Sequence, residues 1–168
     1  KKSLRQIGWL KMGSLSFIWS FTTVILPVLM QHDSINGLLP NKYALVLFIN
    51  RFVFIASLSL LFNINDYEED KLDNIKTLAV VLGPGKSILY GKWLMLLMNA
   101  AAAFFLLHYF ELNNPLFYAA LLLPVIIVFL LYHQFSPMKD ETTFIIRYDG
   151  MMIVKALLLI FALLIYSK

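Results

Sequence analysis

Residues 42–65 read KYALVLFINRFVFIASLSLLFNIN, and the chain then turns at once to DYEEDKLD over residues 66–73. The first string decides the fold. An α-helix rises about 1.5 Å per residue, so about 20 consecutive apolar residues cross the hydrocarbon of a bilayer. Between Lys42 and Asn65 the only charged side chain is Arg51, with Asn50 beside it. Four more stretches meet the same length rule, at about 8–30, 87–110, 115–134 and 149–166. Pro27 is expected to kink the first near its end, and Pro124 lies inside the fourth. No alternation of apolar and polar residues supports the strands of a barrel.

Composition agrees. Of 168 residues, 60% are hydrophobic and only 14% charged, too few to clothe a soluble domain with a polar shell. The net charge of +4 raises the question of nucleic acid. Basic residues flanking membrane spans account for it better, so no nucleic-acid partner is expected and the lipid bilayer is. The chain has no cysteine, which excludes disulfides, thiolate metal sites and cysteine nucleophiles. It opens on Lys1 with no signal peptide before the first span, which reads as a fragment of a longer protein. The expectation is one all-α membrane domain over 1–168, with five spans and a motif loop at 66–86.

Orientation follows from lysine and arginine. Lys1, Lys2, Arg5 and Lys11 precede the first span, and Lys71, Lys76, Lys86 and Lys92 follow the second. Lys139 and Arg147 precede the last, so these three regions carry ten basic residues. The other side has Lys42 and Lys168. The positive-inside rule puts the amino terminus and the Asp66–Lys92 region, with its motif loop at 66–86, in the cytoplasm and the carboxyl terminus outside; the expected location is a prokaryotic inner membrane.

The acidic run carries the chemistry. If the second span continues as helix, Asp66 and Asp70 are four residues apart and share a face, with Ser59, Asn63 and Asp73 on the same stripe. Like charges so placed destabilise a bare helix and become reasonable against a cation. Mg²⁺ takes hard oxygen ligands, commonly one or two carboxylates plus substrate phosphates and water. Lys71 and Lys76 are placed to meet phosphate oxygens. Asn74 and Gly83 suit positive backbone angles that end helices and turn the chain. The plain alternative is a solvated acidic loop. A calcium EF-hand is a poor fit, since the loop lacks the central Gly and terminal Glu. His32, His108 and His133 are scattered and form no ligand set. Gly83-Pro84-Gly85-Lys86 lacks the remaining spacing of a phosphate loop and reads as a turn.

Asp66-Tyr67-Glu68-Glu69-Asp70, followed by Ile75-Lys76-Thr77-Leu78-Ala79-Val80-Val81-Leu82-Gly83, resembles the second aspartate-rich motif of the UbiA family of intramembrane prenyltransferases. That motif reads D-x-x-x-D, a short spacer, G-[IKV]-[KR]-[ST] and a run ending in L-G. Leu4-Arg5, Trp19 and Asp149-Gly150 extend a weaker resemblance along the chain. One departure is Asn74, where the family usually has Gly, and Asn tolerates the same backbone region.

The resemblance implies a nine-helix bundle around a cavity, of which this chain covers the carboxyl-terminal five helices. Its first aspartate-rich motif, N-x-x-x-D-x-x-x-D, is missing here, so the amino-terminal helices of the same protein are implied partners and the piece alone is expected to be inactive. Lys1 or Lys2 is a candidate for the lysine of a Y-x-x-x-K motif. Implied too are an isoprenyl diphosphate donor, a hydrophobic or aromatic acceptor as in quinone synthesis, and Mg²⁺ as cofactor. Asp66 and Asp70 are the expected catalytic metal ligands, with Asp73 a further one. Lys76, Lys71 and Arg51 are the expected diphosphate contacts, Arg51 having a pairing with Asp149 as its alternative. Glu68 and Glu69 are expected to stay solvated. Lys155 receives no role. A phosphatidyl-alcohol transferase needs D-G-x-x-A-R ahead of its D-x-x-x-D, and Asp149-Gly150 comes too late and without the Ala-Arg. The rival of another class is a non-catalytic membrane scaffold or transporter half.

Overall fold

The computed structural model describes residues 8–31, 42–109, 115–135 and 140–166. The expected span end at Phe110, and Lys1, Lys2, Leu4, Arg5, His32, Lys139 and Lys168, lie outside the described residues. Among those described, every regular element is helical.

Helix α1 (Gly8–Ser20) passes through a π-helical turn (Phe21–Ile25) into α2 (Leu26–Gln31). The cause is Pro27, which has no N–H to return to the turn before it. The ladder widens just ahead of it, and the Leu26 N–H reaches Phe21 O. Hydroxyls on this helix bond back to it: Ser16 Oγ donates to Met12 O at 2.8 Å, Ser20 Oγ to Ser16 O at 2.6 Å and Thr23 Oγ1 to Trp19 O at 2.6 Å. Polar groups thus enter an apolar layer without loose donors.

Helix α3 (Lys42–Asn65) is the central strut. After it come two short helices, α4 (Tyr67–Leu72) and α5 (Leu78–Leu82), then the long α6 (Pro84–Tyr109). Helices α7 (Pro115–His133), α8 (Glu141–Tyr148) and α9 (Gly150–Tyr166) complete the chain. Residues 84–86, read as a turn, form the first turn of α6; proline is pre-shaped for that position and loses no needed donor there.

Helix α3 packs on α1 and α6, α6 on α7, and α7 on α9. Helices α3, α6 and α7 crowd together at Gly91, where a β-carbon would come within 2.6 Å of Leu60 Cδ2 and 3.0 Å of Tyr132 Cε1. Tyr132, wholly buried, donates its hydroxyl to Ser57 O and ties α7 to α3. One core cluster joins Phe54, Leu58 and Leu61 of α3 to Met95, Val128, Tyr132 and Phe144. A second, built on Ala103, Leu107, Ala120 and Leu121, closes the far end of α6 and α7.

The outer surface is apolar. Phe17, Ile18 and Trp19 on α1, Leu94 and Leu97 on α6, and Ile153, Leu157 and Phe161 on α9 are all exposed. Water does not tolerate so broad an apolar surface, and lipid does. The segments Leu10–Met30, Ala44–Asn65 and Pro84–Phe105 are long and apolar enough to cross a membrane, and Tyr118–His133 is a shorter apolar helix. The molecule is an all-α membrane protein.

Candidate functional site

Asp66 stands where α3 ends and α4 begins, yet the hydrogen-bond ladder runs through it. The Asp66 N–H reaches Phe62 O at 2.9 Å, and the Asp70 N–H reaches Asp66 O at 2.9 Å. The four-residue spacing is therefore a helical spacing, and the two carboxylates share a face. Helix α4 then stops in a Schellman turn. The Ile75 N–H bonds Asp70 O at 2.8 Å and the Asn74 N–H bonds Lys71 O at 3.3 Å, with Asn74 at φ 56°. Gly83, at φ 82°, makes the next turn out of α5.

Thr77 lies beside Asp70. It caps α5 by accepting the Val80 N–H at 3.3 Å, and its side chain is close enough to the Asp70 carboxylate to favour the charged form. Thr77 is itself buried under Gly8, at the start of α1. Burial holds the Asp70 carboxyl above the ordinary carboxylate range. The negative charges of Asp66 and Asp73 push the same way, while the Thr77 hydroxyl and the Lys11 ammonium oppose them.

Asp66 opens onto a cavity of about 230 Å³ between α1, α3 and α9. Lys11 enters it from α1, Ser59 and Asn63 from α3, and Asp149 from the start of α9; Leu15, Leu58, Phe62 and Met152 make its apolar wall. Asn63 Nδ2 is buried and has no hydrogen-bond partner. An unpaired buried amide is costly, and Asn63 is one of the residues lining this cavity.

The structure brings together Asp66, Asp70 and, from the other end of the sequence, Lys11. Asp73 caps the end of α4 and is exposed. Glu68 and Glu69 are exposed too. Among the described residues no group of three or more Asp, Glu, His or Cys side chains is placed to hold a metal. Lys71 lies over the Tyr67 ring at 5.6 Å, and Lys76 is exposed on the loop before Thr77. Arg51 is elsewhere. It sits fifteen residues up α3 from Asp66, about 22 Å along the axis, and lines a different cavity with Asn50 and Lys155. At that separation it makes no contact with a diphosphate held at Asp66, and it forms no ion pair with Asp149. Lys11 entered the sequence reading only as a basic flank. Its one signal was its place on the first turns of a span at the same membrane end as Asp66.

The sequence model of the UbiA prenyltransferase family matches residues 6–156, nearly the whole chain and all of this cavity's lining. The chain belongs to the UbiA prenyltransferase family. UbiA membership implies prenyltransferase activity in general, an isoprenyl diphosphate with a lipid-soluble acceptor, and a membrane setting. No curated protein and no solved structure matches the chain.

Proposed function

We propose that this chain forms the diphosphate-binding half of a Mg²⁺-dependent prenyltransferase that moves an isoprenyl group onto a hydrophobic, aromatic acceptor, as in quinone or related lipid synthesis. The observation that carries the reading is the shared face of Asp66 and Asp70, with Asp66 at the mouth of a cavity that Lys11 and Asn63 also line. Two carboxylates alone repel a diphosphate. A hard cation between them reverses the sign, and Mg²⁺ is commonly held by one or two carboxylates with the remaining positions filled by phosphate oxygens and water. Asp66 and Asp70 would hold the ion, with Asp73 as an outlying carboxylate. Bound there, Mg²⁺ would neutralise charge growing on the leaving diphosphate.

The chain's own residues do the rest. As the C1–O bond of the donor breaks, its electron pair leaves with the diphosphate. Lys11 and Asn63 donate to the oxygens that gain charge, and Lys76 and Lys71 reach them from the loop. The allylic cation left behind is attacked by the π electrons of the acceptor ring, a new carbon–carbon bond forms, and the ring loses a proton. Leu15, Leu58, Phe62 and Met152 keep water from the cation. In this reading the acidic end faces the cytoplasm, and a second acidic motif on other helices completes the cavity. The 168 residues alone transfer nothing.

The test is transfer of a labelled isoprenyl group in membranes holding the chain together with the helices that complete the bundle. Asp66→Ala is expected to abolish it, by about 10² or more, as loss of a group stabilising the leaving charge does. Transfer that survives Asp66→Ala removes the metal assignment. It would favour the scaffold or transporter-half reading, in which the acids are a solvated loop.

A further inference from the structure

The second cavity on the α3 seam has no part in the diphosphate chemistry. It holds about 450 Å³, within the range of small-ligand sites. Its walls are apolar, with Pro27, Leu47, Leu121 and Leu159 among them. Into this apolar space come two basic side chains, Arg51 from α3 and Lys155 from α9.

Lys155 is 1% exposed. Its Nζ donates to Asn50 Oδ1 at 2.9 Å and lies 4.0 Å from the centre of the Phe54 ring. Asn50 is held in turn: its Nδ2 donates to Asn99 Oδ1 at 3.2 Å, and Asn99 Nδ2 donates to Met95 O at 2.9 Å. This chain of amides is directional. The paired amide donors point away from Lys155, and Asn50 Oδ1 faces its Nζ. The network orients a cation without neutralising it, since amides and a ring carry no net charge.

Among the described residues no carboxylate lines this cavity. Helices α1, α2, α3, α6, α7 and α9, and the π-helical turn, contain no Asp or Glu. The nearest acid along α9 is Asp149, about 9 Å away by helical rise, and it lines the other cavity. Two basic side chains lining one apolar cavity are costly to hold charged there, and an anion that joins them lowers that cost. Arg51 adds a planar fork of donors suited to a carboxylate or phosphate.

The geometry points to an anion-binding site at Arg51 and Lys155, taking the carboxylate or phosphate head of an otherwise apolar molecule. The head would bridge the guanidinium and the ammonium, and the body would lie along the apolar wall. The site stands apart from the acidic cavity, so neither reading depends on the other.

The test uses the purified chain in neutral detergent, with tryptophan fluorescence following thermal unfolding. Dodecanoate is compared with dodecanamide, which has the same body and no charge. A second arm compares nanodiscs of phosphatidylcholine with nanodiscs containing phosphatidylglycerol. Dodecanoate is expected to raise the melting temperature in a saturable way and dodecanamide is not. Arg51→Gln and Lys155→Met should each weaken the apparent affinity about tenfold or more. Asp66→Ala should leave the response intact. A response to dodecanoate alone assigns the site to a free carboxylate, and a response to phosphatidylglycerol alone to a lipid phosphate. Equal shifts from acid and amide, with no lipid preference, overturn the proposal. So does a full response in Arg51→Gln. If Lys155→Met does not fold, the acid–amide contrast in the unmodified chain and Arg51→Gln still decide.

Discussion

Gly8 lies directly on Thr77: a β-carbon at Gly8 would stand 2.9 Å from the Thr77 Cα and N, and nearer still to its methyl group. Backbone cannot retreat as a flexible side chain can. The contact joins the start of α1 to the residue beside Asp70. Gly8→Ala should therefore cost about 1–3 kcal/mol by overpacking and should weaken Mg²⁺-dependent isoprenyl diphosphate binding. Gly13, with nothing within 4 Å of its would-be β-carbon, is the control. Melting curves and binding titrations of the two variants check this; equal behaviour would mean that Thr77 does not position Asp70.

Asn63 separates stability from function. Its Nδ2 is buried without a partner. Replacing it by Leu removes an unsatisfied group, so the melting temperature should hold or rise. Diphosphate binding should fall about tenfold, or about 1.4 kcal/mol, if the amide meets a phosphate oxygen. A stable variant with unchanged affinity would take Asn63 out of the site.

Asn74 tests the turn that aims the acidic run. At φ 56° it occupies the left-handed region. Asn74→Gly, the residue usual in the resembling motif, should be neutral or slightly stabilising. Asn74→Val should cost about 1–2 kcal/mol, because a branched side chain crowds the carbonyl there. Thermal unfolding gives the order directly.

Asp140 gives a pH dependence. Its carboxylate accepts from the Thr143 hydroxyl and from the Thr142 N–H at 3.2 Å, capping α8. The Thr143 bond, first, holds the carboxyl below its ordinary value of 3.8 against the opposing effect of burial, with the Thr142 and Thr143 backbone bonds adding to it. A lowered folded-state value means the cap stabilises α8 above pH 3.8 and loses that contribution as pH falls through the lowered value. Amide-exchange protection in α8, taken relative to the intrinsic rate at each pH, should fall on acidification through that window. Asp140→Asn should flatten the profile; an unchanged profile would show that the cap does not respond to charge.

The local parts of this protein were legible in the residues themselves. The apolar run 42–65 is a helix because its length and composition leave no other way to satisfy its backbone in lipid. Asp66 and Asp70 share a face because four residues make about one turn, and Asn74 ends α4 because few residue types other than Gly accept a left-handed backbone there. Each depends on neighbours a few positions away. What the tertiary structure alone decided depends on partners far apart in the chain. Lys11 and Asp149 meet Asp66 only because α1, α3 and α9 bring one end together. Arg51, expected at the diphosphate, is carried about 22 Å from it by the rise of the same helix that fixes Asp66. It joins Lys155, whose partner Asn50 is 105 positions away. Helical spacing determines which residues share a face, and helix packing determines what that face meets.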